Sequence, residues 1–164
     1  MKQSQFGRLA GDQFPNFNHN LSLVENSLSN AMAGARILVA DQDATTSELL
    51  RSLNREGYRI VSVSDGRAAF RMLKTDADFH AAIFNMAMPH LHGVEIVKYM
   101  KTEKRLMRIP VVLISGEGDT QTVAEGFAAG AIALLPRPFT AEQLHRILRL
   151  ALNSTGRAEV RRAA

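Results

Sequence analysis

Short apolar runs alternate along residues 35–152 with segments whose apolar residues recur every three or four positions. Four of these runs are four or five residues long, which suits a strand that is buried on both faces of a sheet, and the fifth segment, Tyr58–Val63, shows β-branched alternation. Five such strand-then-helix units with short connections predict an α/β fold, in which helices cover both faces of a parallel sheet. The predicted strands are Ile37–Ala40, Tyr58–Val63, His80–Phe84, Val111–Ile114 and Ala131–Leu135.

The segments between these strands carry the residues that start and stop helices. Threonine or aspartate precedes several of the apolar stripes, and glycine follows two of them. The first predicted helix begins at Thr45 or Thr46 and stops at Gly57, the second begins after Asp65-Gly66, and the third contains Val94–Met100. The fourth runs from about Thr120 to Ala129, and the fifth begins at Thr140.

The two ends of the chain are predicted to lie outside this domain. Residues 1–34 form an N-terminal extension, in which residues 1–20 show no periodicity and are expected to be mostly disordered. Leu21–Met32 has the apolar spacing of a short amphipathic helix. Residues 153–164 contain three arginines and are predicted to be a basic, flexible tail. Too few residues follow Leu152 for a DNA-binding or enzymatic output domain, so we expect a domain that acts alone.

Composition excludes several classes of protein. The 164 residues include no cysteine, which excludes disulfides and thiolate zinc sites. No apolar stretch reaches the length of a membrane span, and the N-terminus lacks the apolar core of a signal peptide. The chain is therefore predicted to be cytoplasmic, with no membrane partner. Its formal net charge is +4.

The stretch Ala81–Gly93, AAIFNMAMPHLHG, carries the most specific pattern. An apolar run ends in a polar residue, Asn85, which is followed by Met88-Pro89 and then by Gly93. This pattern resembles the phosphoacceptor loop of the two-component response-regulator receiver family, in which the polar residue is an aspartate. The resemblance covers residues 35–152. It implies a flavodoxin-like, doubly wound five-stranded parallel sheet with the strand order 2-1-3-4-5.

The resemblance also implies where the receiver's phosphorylation pocket would be. Its acidic residues after the first strand correspond to Asp41 and Gln42, with Asp43 next, and its acceptor aspartate corresponds to Asn85. The family's hydroxyl residue corresponds to Ser115, and its lysine corresponds to Arg137. The proline of its cis peptide corresponds to Pro138, and its aromatic switch residue corresponds to Leu134. The pocket is thus predicted to be degenerate, in a pseudo-receiver that lacks the phosphoacceptor.

These departures change the chemistry that the pocket can support. Asn85 is neutral, and an amide is a poor nucleophile for phosphoryl transfer. With Gln42 and Asn85 in place of carboxylates, Asp41 remains as the chief metal ligand, so Mg²⁺ binding is expected to be weak or absent and no cofactor is predicted. The forked guanidinium of Arg137 can instead pair with Asp41. We further expect Ser115 to bond Asn85, directly or through one water, so that the pocket is locked in one arrangement.

The sequence therefore predicts a non-enzymatic signalling protein that contacts a partner without being phosphorylated. The partner is expected to be a signalling protein, such as a histidine kinase or another regulator, and to meet a surface that includes Glu125, Arg146 and Arg149. One alternative keeps a phosphorelay role, in which the chain engages a histidine kinase as a non-accepting competitor or atypical acceptor. A homodimer through the last helices is another alternative, and nucleic-acid binding through the arginine tail is a less favoured one.

Two further features have ordinary explanations. His90 and His92 lie two residues apart but have no acidic or further histidine neighbour in sequence, so they are interpreted as exposed loop residues and not as metal ligands. A basic run follows the third strand and is interpreted as a solvated helix face, with attraction of an acidic partner as the alternative. Its members are Lys98, Lys101, Lys104, Arg105 and Arg108.

Overall fold

The computed structural model of the protein describes residues 32–116 and 120–163, with side chains described as far as Thr155. The disordered segment predicted at residues 1–20 and nearly all of the predicted helix Leu21–Met32 lie outside these ranges. The elements, in chain order, are β1 Arg36–Ala40, α1 Ala44–Arg55, β2 Arg59–Val63, α2 Gly66–Thr75, β3 Ala81–Asn85, α3 Gly93–Thr102, β4 Val111–Ser115, α4 Thr120–Ala129, β5 Ala133–Pro136 and α5 Ala141–Ala163.

The five strands form one parallel sheet in the order β2-β1-β3-β4-β5, which confirms the predicted topology. The register pairs Ala40 with Phe84 across β1 and β3, and Asn85 with Ile114 across β3 and β4. Because all strands run the same way, their carboxyl ends meet at one edge of the sheet. Residues just beyond β1 therefore lie beside the last residue of β3.

The sheet separates two apolar cores, and alternate residues of each strand enter opposite cores. Leu38, Phe84 and Leu113 pack on one side against α2, α3 and α4. Ile83 and Ile114 pack on the other side against α1 and α5. All five side chains are fully buried, so the central strands need apolar residues on both faces, as their continuous apolar runs indicate.

Two helix starts show how short polar side chains set the boundaries. The carboxylate of Asp43 accepts hydrogen bonds from the backbone N–H groups of Thr45 (2.7 Å) and Thr46 (3.4 Å), so Asp43 caps α1. The predicted cap at Thr45 or Thr46 is wrong, because an aspartate just before them reaches these amides and also complements the helix dipole. Thr140 caps α5 as predicted, in a reciprocal pair of bonds with Gln143.

The last helix extends beyond the predicted domain boundary. We expected a flexible tail after Leu152, but α5 continues to Ala163. It passes through Gly156, where the sequence Asn-Ser-Thr-Gly weakens helix propensity. One glycine costs only about 1 kcal/mol relative to alanine, and the alanine, glutamate and arginine residues that follow are good helix formers. Within the described residues, no helix is long and apolar enough to cross a bilayer.

Candidate functional site

The carboxyl ends of four strands bring the sequence-predicted site residues to the same edge of the sheet. Asp41 follows β1, Asn85 ends β3, Ser115 ends β4, and Arg137 follows β5. The backbone N–H of Arg137 donates to the carbonyl of Ser115 (3.1 Å), which ties the β5–α5 loop to the end of β4. The peptide bond between Arg137 and Pro138 is cis, as predicted.

Arg137 forms an ion pair with Asp41 at the centre of the site. A terminal guanidinium nitrogen lies 2.5 Å from Asp41 Oδ2, and the side chains are 24% and 1% exposed. The other terminal nitrogen lies 3.1 Å from Asp43 Oδ2 and donates to the hydroxyl of Thr46 (3.2 Å). The planar fork thus holds two carboxylates and one hydroxyl, which a lysine ammonium could not do with the same geometry. The predicted pair with Asp41 is present.

The remaining oxygen of Asp41 is also committed. Asp41 Oδ1 accepts hydrogen bonds from the side-chain amide of Asn85 (2.9 Å) and from the backbone N–H of Asp43 (3.2 Å). The side-chain carbonyl oxygen of Asn85 accepts a hydrogen bond from the backbone N–H of Ala87 (3.0 Å). Asn85 therefore directs its donor toward Asp41 and its acceptor toward its own loop. An aspartate at this position would place a second negative charge against Asp41 and would lose this donor.

Asp43 links the site to the start of α1. The hydrogen bond from the backbone N–H of Thr45 lowers the pKa of the Asp43 carboxyl below its ordinary value, and the positive charge of Arg137 acts in the same direction against some desolvation. The carboxylate is thus stabilised in its charged form by a helix cap and an ion pair together. A change at Asp43 should affect both the helix and the position of Arg137.

Of the two predicted arrangements of Ser115, a bond to Asn85 directly or through one water, the structure tests the direct one. The residue is only 2% exposed, and within residues 32–116 and 120–163 its hydroxyl makes no hydrogen bond. The expected direct bond between Ser115 and Asn85 is therefore not formed. The Asn85 amide donates to Asp41, and its side-chain carbonyl oxygen accepts from the backbone N–H of Ala87.

The two other site predictions lie at the margin of the pocket. Gln42 is exposed and makes no hydrogen bond to the described part of the chain. Leu134 is half-buried and packs against the core on the α2–α4 side of the sheet. Leu134 therefore acts as a packing residue here. Within the described residues, neither side chain forms a hydrogen bond or an ion pair with Asp41 or Arg137.

Three residues that the sequence analysis did not assign to the site support it. Thr46, which is 1% exposed, accepts from Arg137, and the ring of Phe139 lies 5.9 Å from the guanidinium carbon. Gly93 starts α3 so close to β3 that an added Cβ would lie 2.6 Å from the backbone carbonyl oxygen of Asn85. Gly93 is visible in the loop pattern, but its steric role depends on a contact that sequence spacing does not give.

A cleft of about 190 Å³ opens beside the ion pair, between the start of α1 and the β5–α5 loop. It combines charged, hydroxyl and apolar surface and is lined by Asp43, Thr45, Thr46, Leu49, Arg137, Pro138 and Phe139. Within the described residues, no group of three histidine or acidic side chains is placed to hold a metal ion. His90 and His92 are both exposed, as predicted.

Comparison with known proteins identifies the same family throughout. The model of the response regulator receiver domain matches residues 37–149. Chemotaxis protein CheY1 of Helicobacter pylori is 28% identical over 121 residues, which cover 73% of this chain and 98% of that protein. Response regulator MprA of Mycolicibacterium vanbaalenii is 31% identical over 73% of this chain and 51% of its own length. The solved structure of chemotaxis response regulator CheY4 of Vibrio cholerae is similar with a TM-score of 0.67 and 26% identity, over 73% of this chain and all (100%) of that one.

Proposed function

The chain belongs to the response regulator receiver family, a family of signalling modules, and from this premise we propose that it signals without accepting a phosphoryl group. In this proposal the domain acts in the cytoplasm and contacts a protein partner of a two-component pathway. Its pocket holds one arrangement at all times, so partner binding does not wait for phosphorylation. The domain carries no enzymatic activity of its own.

The observation that carries the proposal is the closed set of contacts around Asp41. Asn85 ends β3, where the family resemblance places the acceptor aspartate, and its amide donates to Asp41. Phosphoryl transfer needs an anionic oxygen that can attack in line. A neutral amide does not provide one. Asp41 itself is 1% exposed and bonded to Arg137, so it does not offer a substitute nucleophile.

Mg²⁺, which the family uses for phosphoryl transfer, does not fit the donors present. This ion prefers hard oxygen ligands in octahedral geometry, usually including carboxylates. Both oxygens of Asp41 already accept hydrogen bonds or an ion pair, and Asn85 directs a donor toward the same place. The Arg137 guanidinium supplies positive charge there without an ion. We therefore expect the domain to need no metal.

The proposal assigns the Asp41–Arg137 pair a structural role in place of a switch. In a switching receiver, the phosphoryl group draws the hydroxyl and the lysine toward itself and so changes the partner surface. Here Arg137 is held by Asp41, Asp43 and Thr46, which are groups of the protein itself. In this proposal, the Arg137 guanidinium therefore already lies beside Asp41 before any signal arrives.

A partner-binding measurement tests this function. The tagged protein captures binding partners from an extract of its source cells, and the dissociation constant of each purified partner is then measured with and without acetyl phosphate and Mg²⁺. We expect the dissociation constant to change by less than about twofold, which corresponds to under about 0.4 kcal/mol. A tenfold or larger change that depends on acetyl phosphate would contradict the proposal and favour the phosphorelay alternative.

A further inference from the structure

A band of exposed basic side chains extends over α2, α3 and the loop that follows α3. We call this surface the basic face. Its seven members are Arg67, Arg71, Lys74, Lys98, Lys104, Arg105 and Arg108, and all are exposed. The half-buried Lys101 of the same run is not a member, because its ammonium group donates to the carbonyl of Met107 (3.2 Å).

The charge of this face is large, although Asp65 at the start of α2 interacts electrostatically with Arg71. Residues 66–75 and 93–110 contain eight basic and two acidic residues, a net charge of +6, whereas the whole chain has +4. The rest of the chain is thus net negative. Within the described residues, none of the seven basic side chains forms an ion pair. One of the two acids, Glu95, is occupied as a cap, since it accepts from the backbone N–H of His92 (2.9 Å).

Contacts between the two helices hold these charges on one surface. The rings of Phe70 on α2 and Tyr99 on α3 pack with their centroids 4.6 Å apart. The Lys74 ammonium lies over the Phe70 ring, and the Arg105 guanidinium donates to the carbonyl of Lys74 (3.3 Å). The basic face therefore rests on two packed helices, and Lys74 and Arg105 are held in contact with residues of α2. Clusters of like charge attract oppositely charged partners and accelerate their association.

One apolar residue within this face indicates which kind of anion it binds. Met107 is 51% exposed and lies in the loop between Arg105 and Arg108. An exposed methionine beside arginines is typical of protein interfaces, where apolar anchors are buried, and a phosphate backbone offers it nothing to bury against. The Phe70 and Tyr99 rings pack on each other, which leaves them poorly placed for stacking on bases.

We infer that the basic face docks an acidic segment of a protein partner, with an apolar side chain of that segment covering Met107. The inference rests on the proposed function for the statement that the partner is a protein, and it adds the partner's chemistry and the place where it binds. None of the seven residues of the basic face lines the cleft or bonds Asp41 or Arg137, so the two sites can be tested with separate variants. The basic run is then more than the solvated helix face that the sequence first indicated.

A binding experiment with two probes tests the inference. The full chain is titrated into a labelled 20-residue peptide in which glutamates surround leucines at helical spacing, and separately into a 20-base-pair DNA duplex, without metal or phosphate donor. The test variant is R67E/R71E/K98E, and the matched control R51E/R55E/R59E changes the net charge equally on exposed residues of α1 and β2. A third variant, Met107→Ser, removes the apolar anchor. Thermal unfolding establishes that each variant is folded.

We expect the test variant to weaken peptide binding at least about tenfold, because close opposite charges are lost, and the control to weaken it less than about threefold. Met107→Ser should weaken peptide binding severalfold and leave DNA binding unchanged. Equal losses in the test and control variants would overturn the inference, since bulk charge would then be responsible. Tighter binding of DNA than of peptide, with no effect of Met107→Ser on either probe, would also overturn it in favour of a nucleic-acid partner. These results do not depend on whether the chain accepts phosphate.

Discussion

The Arg137 guanidinium and the Asp41 carboxylate lie 2.5 Å apart at the carboxyl edge of the sheet, and the Asp41 side chain is 1% exposed. The same carboxylate accepts from the Asn85 amide. A buried carboxylate needs a partner for its charge, and here that partner belongs to the protein itself. The charge of Asp41 is therefore balanced by a residue of the same chain.

Removing Arg137 should destabilise the domain. Arg137→Ala leaves the buried charge of Asp41 without its cation, and we expect a loss of about 2 kcal/mol, below the value for fully buried pairs because Arg137 is 24% exposed. The control is Arg146→Ala, whose pair with Glu142 is exposed and should contribute less than about 0.5 kcal/mol. Urea unfolding measures both. Equal effects of the two substitutions would show that the Asp41 pair is an ordinary surface contact.

Asp43 should show two separable contributions. Asp43→Ala removes both the cap of α1 and the contact with Arg137, and the loss of the cap alone is expected to cost about 1 kcal/mol. Asp43→Asn keeps an oxygen that can cap the helix and should cost less than half as much. The free energies of unfolding of Asp43→Ala and Asp43→Asn separate the two contributions. If Asn and Ala are equally destabilising, the charge of Asp43 and not its cap stabilises the site.

Gly93 should tolerate no side chain. An added Cβ would lie 2.6 Å from the backbone carbonyl oxygen of Asn85 and 3.1 Å from the Leu113 side chain. Gly93→Ala is therefore expected to lower the free energy of unfolding by about 1–3 kcal/mol and to displace the loop that holds Asn85. Gly116 is the matched control, because an added Cβ there has no atom within 4 Å. Thermal unfolding of both variants tests this account. A neutral Gly93→Ala would show that the loop moves freely.

Acid should weaken the domain through aspartates whose pKa values lie below the ordinary 3.8. In Asp43, Asp65 and Asp76 a hydrogen bond from a backbone N–H is the largest cause of this lowering. The folded state therefore binds protons less readily than the unfolded state. Stability is full above about pH 5 and falls as the pH decreases through 3.8 toward the lower folded values. Urea unfolding followed by circular dichroism at several pH values measures the slope.

Asp65→Asn provides the internal test of that pH dependence. Asparagine caps α2 nearly as well as aspartate but does not titrate. The variant should be close to wild type in stability near neutral pH and should lose less stability than wild type between about pH 5 and 3. An unchanged slope would mean that other groups are responsible for the acid sensitivity.

The fold was predictable because the three central strands are continuous apolar runs, β2 mixes apolar and polar residues, and most helices carry their own start signal. The strand order came from the family resemblance and not from the pattern, since periodicity does not state which strands are neighbours. Of the site, the Asp41–Arg137 pair was predictable from charge, because a buried carboxylate and a forked cation at the same sheet edge have few other partners. The direct Ser115–Asn85 bond, one of two predicted alternatives, is wrong, and the bond through one water stays a prediction. The Asn85 amide instead donates to Asp41, and the Asn85 side-chain carbonyl oxygen accepts from the backbone N–H of Ala87.

The end of α5 was missed for a related reason. The polar residues around Gly156 resemble a helix stop, and whether a helix continues through such a sequence depends on the residues that follow. The capping role of Asp43 was missed because the adjacent threonines are also good caps by type. In each case the local sequence was compatible with two boundaries of the helix, and residues at neighbouring positions decided between them.

The most direct test of the central claim is the mass of the intact protein after incubation with acetyl phosphate and Mg²⁺. The wild-type chain is compared with Asn85→Asp and with the double variant N85D/R137K, which restores the carboxylate and the lysine that the family resemblance implies. Peptide mapping first establishes that Asn85 has not deamidated. We predict no added phosphoryl group on the wild-type chain, and incorporation, if any, only in the two variants in which an aspartate replaces Asn85. Incorporation near one phosphoryl group per wild-type chain, with Asn85 intact, would contradict the account.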